Sequence, residues 1–334
     1  MIETILFKIL LVPVVAAVGI FLGLLYKGID RILAARMQAR VGPPVTQPFR
    51  DVKKLMLKEN IVPKNAVKWL FNLMPLMALA ASIIILLYMP IFGLAPILEG
   101  YGDLILVLYL MIFPSLALVL GGFASGSPYA TVGAQREMVK MLSYEFPLAI
   151  AAVSIVWLVS TASPCAAVFS LGVIAGVPVW GLVGPVGFAG LVMLLIVLLL
   201  VMPGEIGTVP FDIGEAETEI AGGVLVEYSG RNLALFYMAE AVKMLAFASL
   251  IITLFLPYGV SEILNLSGAP AIIADALFYL IKLFIIIFIG SIFTRVALAR
   301  LRITQVVKVY WGYMTFMALC GLVLITMDAI LKLI

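Results

Sequence analysis

The sequence has no histidine, two cysteines and few charges: Asp, Glu, Lys and Arg make up 12% of its 334 residues, against about 25% in a typical soluble domain. Each shortage excludes something. Without histidine there is no imidazole acid–base catalysis, no His-ligated haem and no His-based metal site. Cys165 and Cys320 lie far apart and neither has a C-x-x-C neighbour, so the chain builds no zinc or iron–sulfur site alone. Both are expected as small buried apolar side chains, and any redox centre must sit on a partner. The scarcity of charge accompanies 64% hydrophobic residues, where roughly 45–50% is usual. A soluble enzyme cannot hide that much apolar surface.

What is present is a succession of long apolar runs. A helix needs about 20 such residues to cross a hydrocarbon core about 30 Å thick, and only helices or closed barrels satisfy their backbones in lipid. The runs are continuous instead of alternating, which predicts an all-α integral membrane protein. Eight spanning helices are predicted near residues 5–26, 69–92, 104–123, 139–160, 186–202, 233–257, 276–293 and 309–331. The stretch 165–183 is rich in Gly and Pro (Gly172, Gly176, Pro178, Gly181, Gly184, Pro185) and reads as a loop with a short amphipathic segment. The N-terminal run has no basic leader and no clear cleavage site, and reads as a retained first helix. No internal repeat is evident, which weakens a transporter built from inverted repeats. The whole of 1–334 is expected to form one polytopic membrane domain.

Charge placement orients this bundle. The first long loop, 27–68, carries ten Lys/Arg and three Asp/Glu, and the last, 295–308, carries Arg295, Arg300, Arg302 and Lys308 with no acid. With Arg136 and Arg231, 16 of 21 bases fall on one face, which the positive-inside rule makes cytoplasmic, with both termini facing outward. The opposite loops hold Glu99, Asp103, Glu262 and Asp275 and no base.

Three groups of residues are candidates for chemistry. The first is an acidic loop, 204–232, with Glu205, Asp212, Glu215, Glu217, Glu219 and Glu227 against Arg231 alone. Asp212 precedes Glu215 by three, the spacing of a helix N-cap and its partner, and on such a helix Asp212, Glu215 and Glu219 share a face. A solvated, capped interfacial helix is the plain reading. Packed under neighbouring loops, the same carboxylates desolvate, repel and rise in pKa towards neutrality, as a proton-relay group requires. The second group is intramembrane, where a charge costs at least about 2.5–3.5 kcal/mol and marks function by default. Glu137, Lys140 and Tyr144 recur on one helical face beside Glu145, Glu240 and Lys243 form an i,i+3 pair, and Lys282 sits mid-span. Ion pairs that only lock helix packing compete with a polar path from the cytoplasmic side. The third group is the basic loop, with Arg36, Arg40, Gln47, Asp51, Lys54 and Glu59. Anionic-lipid binding would explain its bases, while the interspersed Gly42-Pro43-Pro44 and Gln47-Pro48 suggest a rigid docking surface.

These motifs resemble a known family. Arg36-x-Gln38-x-Arg40-x-Gly42-Pro43 and Gln47-Pro48-x-x-Asp51-x-x-Lys54-Leu55-x-x-Lys58-Glu59 are similar to the membrane subunit of respiratory complex I called subunit 1 or H. So are Glu205 with Pro210-Phe211-Asp212-x-x-Glu215-Ala216-Glu217-x-Glu219, Val226-Glu227-Tyr228-Ser229-Gly230, Ser143-Tyr144-Glu145 and the tail from Arg295 through Arg300, Arg302 and Trp311. In quinone-reducing members the stretch between Gly-Pro and Gln-Pro is longer and glycine-rich, whereas here it is Pro44-Val45-Thr46. That compact form resembles the homologous subunit of energy-converting membrane-bound NiFe hydrogenases, formate hydrogenlyases and ferredoxin-linked sulfur-reducing complexes.

The resemblance implies a non-catalytic coupling subunit of a multi-subunit ion-pumping oxidoreductase, hydrogenase-type first, in the cell membrane. Arg36, Arg40, Gln47, Asp51, Lys54, Glu59, Arg295, Arg300 and Arg302 would dock a peripheral iron–sulfur small subunit and a NiFe-hydrogenase-like large subunit. Glu205, Asp212, Glu215, Glu217, Glu219, Glu227, Glu145, Glu240, Lys140, Lys243 and Lys282 would relay charge to antiporter-like subunits moving H+ or Na+. It implies ferredoxin as donor, 4Fe-4S clusters and a NiFe centre on partners, and no cofactor, metal or nucleic acid on this chain. The alternatives are the same subunit of a sulfur-reducing complex or of a quinone-reducing complex I, and a stand-alone secondary ion transporter.

Overall fold

The computed structural model describes residues 2–333 except 101, 163–166, 262–263 and 265, so Cys165 and Glu262 lie outside the described residues. Among those described, the secondary structure is entirely helical, and eight helices are long and apolar enough to cross a membrane. This is a multi-pass, all-α membrane protein. The spans are α1 (Ile2–Met37), α3 (Lys68–Tyr88), α4 (Asp103–Ala124), α5 (Pro128–Ala162), α8 (Pro185–Ile206), α10 (Gly230–Phe255), α11 (Ala269–Ile287) and α14 (Thr315–Leu333). Short helices lie between them: α2 (Gln47–Leu57), α6 (Leu171–Ala175), α7 (Val179–Leu182), α9 (Glu217–Ile220), α12 (Thr294–Ala297) and α13 (Ile303–Val307). The described part of the Gly- and Pro-rich stretch, 167–183, holds α6 and α7 and no ninth span, as its glycines and prolines predicted.

Several helices outrun their apolar cores. α1 continues to Met37, so Lys27, Asp30, Arg31 and Arg36 are helical, where a loop was expected from Lys27 onward. α5 begins at Pro128 instead of near 139, and α8 runs to Ile206, which puts Glu205 in a helix instead of in the acidic loop. The reason is that a helix keeps its backbone bonds beyond the lipid whenever other protein covers its polar turns. Hydropathy marks where apolar residues stop, which is a different boundary.

α10 is the hub. Of its most apolar window 94% is buried, against 22% for α1 and 28% for α11 and α14, and a helix apolar on all sides belongs in a core. α8 and α14 cross at a pair of glycines: a Cβ on Gly190 would sit 2.7 Å from the Gly321 carbonyl oxygen. Such small residues let membrane helices approach to backbone contact. At the charged face, Gly133 of α5 leaves room for the 207–229 loop, since a Cβ there would lie 2.6 Å from the Val224 nitrogen. That loop therefore folds down onto α5 instead of standing in solvent. Two wider π-helical turns, Phe288–Phe293 and Lys308–Met314, bracket α12 and α13, a distortion frequent at functional sites.

Candidate functional site

The charged residues of α1, α5, α8 and α10 meet beneath the folded acidic loop. An outer cavity of about 440 Å3, lined by Lys27, Asp30, Arg31, Asp51, Glu217, Arg295 and Arg300 among others, shares a wall with an inner one of about 50 Å3. The shared wall is Gly207, Asp212, Glu215, Tyr237 and Glu240. The inner cavity adds Ser115, Glu137, Lys140, Glu205 and Lys243. By volume it has room for a water or two, while the outer one opens on the charged face.

Nearly every charge here has a partner. Lys27 Nζ lies 2.6 Å from Glu240 Oε1, Lys140 Nζ 2.7 Å from Glu137 Oε1 and Lys243 Nζ 2.8 Å from Glu205 Oε1. The last two pairs are buried, and a buried pair is a poor source of stability because desolvation offsets its Coulomb gain. Glu240 and Lys243 do not pair with each other as their i,i+3 spacing predicted. Each reaches across to another helix, because tertiary packing brings an opposite charge there to within 2.8 Å.

The acidic loop also departs from the expected single helix. Asp212 takes the N-cap position of a short 3-10 turn, Ile213–Glu215, and makes no capping bond. Its carboxylate instead accepts two bonds from Arg300, at 2.9 Å from Nε and 2.5 Å from Nη2. Asp212 thereby raises the Arg300 pKa, by hydrogen bonding first and charge second. The chain then turns extended at Ala216, with φ −61° and ψ 96°, so the face predicted for Asp212, Glu215 and Glu219 is broken. Glu217 and Glu219 face out and Glu219 pairs with Arg136 at 2.5 Å. Glu215 turns inward. Its carboxyl is desolvated and flanked by the charges of Glu240 and Glu137, and in that order these push its pKa from 4.5 up to about 8, against the opposing pull of Lys140 and Lys27. This is the elevated loop carboxyl that the acidic cluster suggested.

Three predicted members stand apart. Glu227 lines a separate cleft with Lys64 and Ser127. Lys282 lies towards the face opposite the loops, where its ammonium donates to the Leu256 and Tyr258 carbonyls at 2.8 Å each and closes the end of α10. Glu145 is half-buried on α5, outside both cavities, and makes no ion pair among the described residues. The predicted docking residues divide likewise. Arg36, Arg40, Lys54, Glu59 and Arg302 are exposed. Gln47 and Arg31 hold Asp51 at 2.8 Å each, and Arg295 holds Asp30 at 2.8 Å, so Gln47, Asp51, Arg295 and Arg300 tie the loops to the bundle. Sequence reasoning missed Lys27, Asp30, Ser115 and Asp328, whose carboxylate accepts from the Gly184 nitrogen at 2.7 Å where α8 begins. Lys27 and Asp30 carried a usable signal, being three apart on a helix that outlasts its apolar core.

The sequence matches the profile of a family described as NADH dehydrogenase over residues 8–326. The chain belongs to that family. Among its relatives, the H subunit of the NADH-quinone oxidoreductase of Geobacillus sp. (strain WCH70) is 32% identical over 301 residues, covering 88% of this chain and 85% of that one. The corresponding chain of Bacillus cytotoxicus is 33% identical over 303 residues, with 88% and 86% covered. Among solved structures, a chain of the membrane-bound sulfane sulfur reductase, an archaeal respiratory membrane complex, superposes with a TM-score of 0.82 at 28% identity, covering 95% of this chain and 99% of that one. The chain is thus a membrane subunit of a respiratory complex, of the type lettered H in complex I. Residues 8–326 take in the basic loop, the acidic loop and all five helices that line the inner cavity, α3, α4, α5, α8 and α10.

Proposed function

We propose that this chain is the membrane coupling subunit of a ferredoxin-linked, ion-translocating reductase of the hydrogenase or sulfane-sulfur-reducing kind. Its charged face is cytoplasmic, by the excess of bases there, and both termini face outward. Exposed Arg36, Arg40, Lys54, Glu59 and Arg302 dock the peripheral small and large subunits, which carry the iron–sulfur clusters and the NiFe or equivalent centre. The observation that carries this reading is the pair of adjoining cavities that lead from the loop face through Asp212, Glu215 and Glu240 to the buried Lys243–Glu205 pair. Redox events at the docked module change the charge at Glu217 and Glu215, and the ion pairs behind them pass that change inward. Glu145 hands it to antiporter-like neighbours. No bond is made or broken on this chain.

The charged walls of the outer cavity favour an acceptor other than quinone, whose isoprenoid tail requires mainly apolar lining. The short Pro44-Val45-Thr46 link and the likeness to the sulfane sulfur reductase chain support the same choice. A second reading, quinone reduction, is favoured by the names of the NADH-quinone oxidoreductase relatives. Purifying the complex and supplying reduced ferredoxin separates them. Evolution of hydrogen, or of sulfide from sulfane sulfur, without added quinone is expected; quinone-dependent turnover blocked by quinone-site inhibitors overturns the proposal. In the same preparation Glu215→Gln, Glu145→Gln and Glu240→Gln are expected to lower ion uptake. Full uptake in all three would leave only a passive anchor. The chain alone in liposomes is expected to move nothing, which a stand-alone transporter would contradict.

A further inference from the structure

The face opposite the acidic loop holds a third cavity, of about 520 Å3, between the links 90–99 and 257–261. Among the described residues three charges line it. Glu99 is exposed at the rim. Asp275 follows on α11, its carboxylate engaged by the Val260 and Ser261 nitrogens at 2.8 and 2.9 Å and by the Ser261 hydroxyl at 2.6 Å. Lys282 lies two turns further into the span and is 9% exposed, with Ile252 and Thr253 of α10 also in the wall. Two of its three protons go to the Leu256 and Tyr258 carbonyls, and its Nζ stands 5.0 Å from the Phe278 ring centroid. It makes no ion pair among the described residues. Carbonyl dipoles and a ring face hold an ammonium without cancelling its charge.

The inner cavity reaches Lys243 on α10, and this one begins at Ile252 of the same helix. At 1.5 Å per residue the two stand about 13–14 Å apart along the axis, less than half of a hydrocarbon core about 30 Å thick. Every residue of 244–251 is buried. The one polar side chain among them, Ser249, donates to the Leu245 carbonyl at 2.7 Å and accepts from the Tyr279 hydroxyl at 2.7 Å. Both cavities are roomy enough for water, so most of a membrane potential drops across this dry septum. We propose that Lys282 is an ion-excluding plug, whose ammonium repels cations entering the far cavity and keeps the membrane tight where the septum is thinnest. A fixed positive charge beside a narrow apolar stretch is a barrier to cations. The two acids do not undo it. Glu99 is screened by solvent at the rim, Asp275 is engaged by three donors, and Lys282 stands closest to the septum. The plug is a property of the resting chain and does not depend on the charge relay.

The test is passive leak through proteoliposomes that hold the whole complex, at an imposed potential and with no electron donor. Lys282→Met keeps the length of the side chain and removes its charge. Its H+ or Na+ leak is expected to rise about tenfold, the Boltzmann factor of one unit charge at about 10 Å in an effective dielectric of about 20. Chloride leak is expected to stay at the wild-type value, and Lys282→Arg to stay tight. A merely structural cap on α10 predicts either no leak or one without ion preference. An unchanged cation leak, or a chloride leak that rises with it, therefore overturns the plug. Because no electrons flow, the outcome is independent of whether Glu215→Gln lowers ion uptake. Should Lys282→Met not assemble, Thr253→Cys decides, with Cys165 and Cys320 changed to serine. It is expected to react with membrane-impermeant thiol reagents from the far side only, an anionic reagent faster than a cationic one of equal size. No reaction from that side, or a faster cationic reagent, overturns the proposal.

Discussion

Glu215 takes up its proton unusually readily because the fold removes its water and places Glu240 and Glu137 beside it. Its folded pKa of about 8 lies above the 4.5 of a free glutamate. Its contribution to stability is therefore complete below about 4.5 and is lost as pH rises through about 8. Thermal unfolding of the solubilised complex should show this directly. Melting temperature falls between pH 5 and 9, and in Glu215→Gln the fall is shallower; equal slopes would mean that Glu215 does not titrate in that window. The Lys243–Glu205 pair obeys a different rule. Removing one partner strands a buried charge and costs about 3–5 kcal/mol, whereas replacing both with apolar residues is near neutral. Lys243→Met alone should reduce assembled complex sharply, and Lys243→Met with Glu205→Leu should recover assembly without recovering ion uptake. Recovery of both would remove the pair from any coupling role. The i,i+3 spacing of Glu240 and Lys243 was readable but misleading, since spacing reports which groups can meet and not which better partner another helix brings.

At the scale of elements, the strap formed by α12, α13 and the link between them holds the acidic loop through Arg300 and Asp212 and through the bond from the Leu301 nitrogen to the Pro210 carbonyl at 3.0 Å. Arg300→Lys keeps the charge and loses the two-pronged geometry that a guanidinium supplies. Hydrogen exchange across 207–229 should then speed up, with the spans unchanged; unaltered exchange would show that backbone bonds alone secure the loop. The α8–α14 crossing has no such slack. With Gly321 in backbone contact, Gly190→Ala should destabilise the bundle by about 1–3 kcal/mol, as overpacking does, read as a lower melting temperature. The spans themselves were legible, because long apolar runs permit little else in lipid. Their ends were less so: Glu205 and Arg36 lie in helices that hydropathy had already closed. The π turns at Phe288–Phe293 and Lys308–Met314 left no mark in the residue pattern, since an inserted residue changes hydrogen-bond register and not composition.

Across the whole molecule the few charges divide between two jobs. One set, among them Arg31 with Asp51 and Arg295 with Asp30, ties loops to helices. The other, Arg36, Arg40, Lys54, Glu59 and Arg302, faces outward from the charged face. If the second set docks the peripheral module, Arg36→Glu with Arg40→Glu should release that module at lower salt than wild type, because exposed pairs are screened within about 8–10 Å at physiological ionic strength. Gel filtration over a salt series reads this, and an unchanged release point would move the docking surface elsewhere. Lys282 marks the limit of reasoning by class. It was singled out as a mid-span charge, but its ammonium closes the end of α10, and among the described residues no group of the inner cavity is its partner.

By itself the sequence determined the membrane bundle, its eight spans, the asymmetry of charge between its faces and the family, because scarcity of charge and long apolar runs act locally and leave few alternatives. Tertiary structure alone decided which charges meet. It turned Glu215 inward where a single helix would have set it beside Glu219, gave Glu240 to Lys27 and Lys243 to Glu205, and sent Glu227 and Lys282 elsewhere. Pairing depends on where separate helices stand relative to one another, and desolvation rewards the closest opposite charge whatever its distance along the chain.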